Sequence, residues 1–157
     1  MRWIVVFVSL IVAGSSWASE VDLPPRGEGP IAFDVDVASF LWRGSEGFEE
    51  VTIRFPVAQF SFRRRASGDF VACYKPSLRV INESGEVVRQ VEAESQMTAE
   101  SLEATTDVDR KFVDMVQVKL PPGRYRGELT LSDLETGRSG IAVFSLDVPS
   151  YDPSQLG

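Results

Sequence analysis

The sequence has no histidine, a single cysteine and no apolar run long enough to cross a membrane. Each absence removes a class of function. Without histidine there is no Ser-His or Cys-His nucleophile pair, and the commonest zinc ligand is missing. One cysteine cannot bridge to another within the chain, which excludes a disulfide-stapled miniprotein. No Gly-rich phosphate loop, paired-cysteine metal site or nucleophile elbow occurs, and Gly27-Glu28-Gly29 is a proline-flanked leader rather than a strand-to-helix turn. Positive charge is also scarce: 16 basic residues face 23 acidic ones, a net charge of −7. That balance argues against nucleic-acid binding, which needs clustered Lys and Arg to neutralise phosphates.

What is present is 157 residues, 43% of them hydrophobic, with 12 Gly and 9 Pro. This composition is too apolar for a disordered chain. The length suits one domain that buries roughly two thirds of its unfolded surface.

Residues 1–18 read as a cleaved export signal. Arg2 gives the positive start, and Trp3 to Ala13 is an apolar run of about eleven residues, the length of a signal core. Ser16 and Ala18 occupy the small-residue positions that a signal peptidase requires, so cleavage is expected between Ala18 and Ser19. A spanning helix would need nearer 20 apolar residues, so no membrane span is expected after cleavage. Of the charged residues only Arg2 is lost, which takes the net charge from −7 to −8.

Residues 19–30 form an exposed Pro- and Gly-rich leader, and from Ile31 the dominant period is two. Ile31, Phe33, Val35, Val37 and Leu41 share one face, and Val51, Ile53, Phe55 and Val57 alternate with Glu50, Thr52, Arg54 and Pro56. Phe70 to Lys75, the stretch around Leu78 and Val80, and the return through Val87, Arg89, Val91 and Ala93 read as further strands. Asn82 to Gly85 is the hairpin turn between the last two. Gln96 to Asp109 is polar and without strong periodicity, room for a loop or one helical turn near Thr98 to Glu103. Phe112, Val116, Val118 and Leu120 share a face with Asp114 as the exception, and Tyr125 to Leu131 and Ile141 to Val148 close the series. About eight short strands with no amphipathic helix predict an all-β, immunoglobulin-like antiparallel sandwich over residues 31–149, followed by a tail at 150–157. Leu120-Pro-Pro-Gly123-Arg-Tyr125 fits a tyrosine corner, with the ring packed inside and the hydroxyl bonded back to nearby backbone.

Chemistry-bearing residues are few. Cys73 lies within a strand pattern and reads as a small core hydrophobe. Asp34 and Asp36 lie on one strand face about 7 Å apart. Such a pair could join a calcium site, as could Asp107/Asp109 or Asp133/Glu135, but a solvated face or loop is the simpler reading. Arg63, Arg64 and Arg65 form the densest positive run, suited either to an acidic partner or to protecting a strand edge. Asn82-Glu83-Ser84 matches a glycosylation acceptor, yet the same residues suffice as a turn. No catalytic, cofactor or metal residues are assigned.

The opening strand Phe33 to Phe40, the step Val51-Thr-Ile-Arg-Phe-Pro56, Phe60-Ser-Phe62 and the stretch Leu120 to Arg138 together carry a resemblance. In their order they resemble the amino-terminal β-sandwich of bacterial GWxTD-domain proteins. The resemblance covers nearly all of the mature chain and implies an exported sandwich, with no reaction attached. The Gly-Trp-x-Thr-Asp signature itself occurs nowhere in the sequence. The resemblance therefore implies a truncated or split member that retains only its first domain.

Three functions follow as expectations. The first is a non-catalytic module for protein binding or assembly in the periplasm or outside the cell. Its interface candidates are Trp42 and Phe48, which flank Gly44 to Gly47, together with Arg63 to Arg65. The second is a hydrolase working through carboxylates alone, of the glycoside-hydrolase kind. The third is a small secreted protease inhibitor that presents Lys119 to Gly123.

Overall fold

In the computed structural model the described residues are 24–41 and 46–150. The export signal with its Ala18–Ser19 junction, Trp42, and the tail beyond Ser150 lie outside them. The chain forms the expected antiparallel sandwich of two sheets. The first sheet has the order β1-β2-β3-β8, from Arg26–Gly27, Phe33–Leu41, Gly47–Pro56 and Lys111–Leu120. The second is centred on β5, Phe70–Asn82. On one flank of β5 lie β9 (Gly123–Asp133), with β10 (Ser139–Val148) beyond it, and the two-residue β4 (Arg63–Arg64). The other flank carries β6 (Val87–Glu92) and β7 (Ser95–Ala99) in succession. Among the described residues eight strands have five residues or more, and β1 and β4 have two each.

The period-two pattern sets the core. Phe33 and Val35 on β2 and Val51, Ile53 and Phe55 on β3 face Leu78 and Val80 on β5 and Leu129 and Leu131 on β9, all fully buried. Each such side chain stabilises the fold by roughly 1.5–3 kcal/mol. At one end Phe55, Phe60, Tyr74 and Phe112 form an aromatic cluster with ring centroids 5.0–6.0 Å apart. Pro56 ends β3, and a 3-10 turn at Val57–Gln59 carries the chain to the second sheet. The leader closes one seam. Glu28 bridges to Ile141 of β10, and Gly140 comes so close to Ile31 that a Cβ there would lie 1.8 Å from the Ile31 carbonyl.

Several local expectations are corrected. Phe70 to Val80 is one strand rather than two, because Pro76 falls at the jog between β6 and β7. Its carbonyl accepts from Ala93 on that flank, so the missing Pro N–H faces the break in the ladder. A bulge between Val80 and Ile81 turns Val88, not Val87, against the core. Within the polar stretch the structure places strand β7 and then a short helix, Leu102–Thr106, capped by the Ser101 hydroxyl. Cys73 is not a core residue. Ala72 and Tyr74 take the inner face of β5, so Cys73 lies half-buried on the outer one. Leu41 is likewise exposed at the end of β2.

Candidate functional site

One end of the sandwich gathers the close of β2, the start of β3, the close of β8 and the corner into β9. Because β8 belongs to the first sheet and β9 to the second, Pro121 and Pro122 carry the chain between layers. Leu120 is buried beneath the turn, and Gly123 turns with φ +155° under the Tyr125 ring, where a Cβ would sit 3.3 Å from the hydroxyl. Tyr125 Oη donates to the Pro121 carbonyl at 2.9 Å, and the ring packs half-buried against the core.

On the outer face at this end Phe48 stands between Phe40 and Lys119 in register. Phe40 is exposed and Phe48 is half-buried, while Leu41, exposed at the strand end, belongs by parity to the other face. Beneath the two rings Glu49 points inward and is fully buried. Ser39 Oγ donates to Glu49 Oε2, while Oε1 has no hydrogen-bond partner among the described residues. Burial pushes the Glu49 carboxyl above its ordinary value, and the Ser39 hydroxyl counters that in part. Glu49 was not singled out from the sequence. The signal was parity: it precedes Val51 by two residues and therefore shares the core face of β3.

The arginine run lies at the opposite end, so Phe48 and Arg63 to Arg65 do not form one surface. Arg63 and Arg64 make the short edge strand β4, with Arg63 Nε 3.0 Å from Glu135 Oε2. Arg65 reaches Gln96 at 3.0 Å and Asp69 at 3.4 Å, and Arg64 is exposed. Next to them Asp133 is fully buried and accepts from the backbone of Ser61 at 3.0 Å, Glu135 at 2.8 Å and Thr136 at 3.4 Å.

Asp34 and Asp36 do share the outer face of β2. With Pro24, Val35, Thr52 and Arg54 they line a groove of about 410 Å³. Arg54 sits directly across from Asp34, and a resident guanidinium opposes a second cation there. Among the described residues no three Cys, Asp or Glu side chains come together as a metal site. The Asp133 oxygens are already filled by N–H donors, and Asp107 accepts from Asp109 N at 2.9 Å.

No family model matches the chain, and no curated protein matches it. Among solved structures it is similar to the X-ray structure of Northeast Structural Genomics Consortium target SoR45. The two are 12% identical with a TM-score of 0.45, covering 76% of this chain and 88% of that one.

Proposed function

We propose that this chain is a non-catalytic β-sandwich module that binds a protein partner outside the cytoplasm, on the plan of the GWxTD-domain proteins its strand order resembles. The observation that carries the reading is the apolar surface of the corner end, where exposed Phe40 stands directly across from half-buried Phe48. Aromatic side chains on a rigid ladder are suited to anchoring a partner, because little side-chain entropy is lost on contact. The Pro121–Tyr125 corner supports that end from the other sheet.

A photoreactive amino acid at Phe40, expressed in the full chain, tests the site. A discrete protein adduct is expected there and not at Val143, an exposed position on the second sheet. No adduct above that control, or a hydrolytic activity abolished by a carboxylate substitution, overturns the reading. Mass spectrometry of the exported chain tests the address: the amino terminus is expected at Ser19, and an uncut cytosolic chain refutes it.

A further inference from the structure

Among the described residues strand β8 is a ten-residue edge of the first sheet. Long edges of this kind invite pairing with another strand, and folded proteins protect them by specific devices. In an antiparallel ladder the N–H and C=O of one residue point to the same side. The Met115 N–H is accepted by the Asp114 carboxylate at 2.8 Å instead of by β3. Odd-numbered residues of β8 therefore direct their main-chain groups to the edge, and even-numbered residues bond to β3. Two of the odd residues, Val113 and Met115, are also apolar and exposed, at 55% and 46%.

Asp114 is the single break in the apolar face that Phe112, Val116, Val118 and Leu120 otherwise complete. Its inward carboxylate has two partners. Oδ2 accepts from the buried Tyr74 hydroxyl at 2.8 Å, and Oδ1 reaches around the strand to the Met115 N–H at the middle of the edge. The opposite edge of the second sheet, β10, is closed differently. Glu28 exchanges both main-chain bonds with Ile141 at 2.9 Å.

We propose that Asp114 closes the β8 edge against pairing with a second copy of this chain. Each copy brings the same ten-residue edge. Antiparallel pairing centred on Met115 would set Met115 against Met115 and Val113 against Gln117, joining the exposed apolar side chains of both copies into one strip. A carboxylate occupying the central N–H removes the donor on which that ladder would be centred, and it places charge at the seam. Tyr74 makes the inward carboxylate tolerable by satisfying its other oxygen.

The test compares the wild-type chain with the Tyr74→Phe/Asp114→Val double variant, which removes the guard and leaves no buried hydroxyl orphaned. Light scattering on a sizing column is expected to give a monomer mass for wild type. At the same concentration the folded variant is expected to give twice that mass or more. Adding Met115→Pro, which deletes an edge N–H that β3 does not use, is expected to restore the monomer. A folded double variant that stays monomeric overturns the proposal, as does an oligomer that the proline leaves intact. A wild type already paired through this edge and dissociated by Met115→Pro overturns it too. If the double variant fails to fold, Asp114→Asn decides. Asparagine has one acceptor oxygen for two donors, so more oligomer than wild type is expected, and an unchanged mass refutes the guard.

Discussion

Two fully buried carboxylates stand at opposite ends of the sandwich and are treated in opposite ways. Asp133 closes β9 and opens a turn, so the backbone N–H groups of Glu135 and Thr136 are free to point at it, and Ser61 adds a third from across the sheet. Burial pushes its carboxyl up, but those donors and the Thr136 side chain together outweigh burial and hold it below its ordinary value of 3.8. Glu49 lies within β3, a strand paired on both sides, whose N–H groups are committed to β2 and β8. Among the described residues only the Ser39 hydroxyl reaches it, and burial wins, holding it above the ordinary 4.5. The sign of the shift is therefore set by the donors that reach each carboxylate, which at Asp133 include the Thr136 side chain, with the Arg138 guanidinium also 3.7 Å away, and not by burial alone.

The largest test of this contrast is Asp133→Ala. It leaves three N–H donors without their acceptor and is expected to cost about 3 kcal/mol at neutral pH, read from urea unfolding. Because the folded carboxyl is depressed, its stabilisation is complete above the ordinary 3.8 and is lost as pH falls below it. The gap between variant and wild type should therefore narrow in acid. A neutral-pH midpoint equal to wild type breaks the contrast.

Glu49→Gln is expected to act in the opposite direction. The folded carboxyl binds its proton more tightly than the unfolded one, so ionisation opposes folding as pH rises past 4.5 and the cost is complete above the folded value. A neutral amide of the same shape is expected to gain about 1 kcal/mol at pH 8 and nothing well below 4.5. Matched thermal melts at the two pH values check this. A loss at pH 8 would mean that the ionised carboxylate is itself used.

Much of this was legible in the alternation, and the failures have physical reasons. The clean run Val51 to Val57 fixed the face of β3, and the same count extended back two residues reaches Glu49, where an acidic side chain masks the pattern. Asp114 was visible as an exception, but its role needed Tyr74, 40 residues away and on the other sheet. Val71-Ala72-Cys73-Tyr74 is apolar on both faces, so its parity could not be read, and Cys73 went to the wrong side. A bulge defeats counting altogether, which is why Val87 and Val88 exchanged places. The polar stretch hid β7 because only Met97 and Ala99 of its five residues turn inward. Of the interface candidates, Phe48 falls on the apolar corner end, and the arginines fall beside Asp133. No local pattern sets such a distance.

The smallest expected effect asks whether the Glu49 end is held by its corner as the Asp133 end is held by its turn. Tyr125→Phe deletes one hydrogen bond and leaves the ring in place. Its acceptor, the Pro121 carbonyl, keeps access to water because this bond lies at the surface. The loss should therefore fall at the low end for a single bond, about 0.5 kcal/mol. Pro121 and Pro122 already restrict the backbone that the hydroxyl would otherwise have to hold, which is a further reason for a small value. Combining Tyr125→Phe with Glu49→Gln separates two cases. Additive effects mean that the corner and the carboxylate are independent features of one end. A Glu49→Gln gain that disappears in the Tyr125→Phe background means that the corner is what keeps the carboxylate buried, and so what keeps it unlike Asp133.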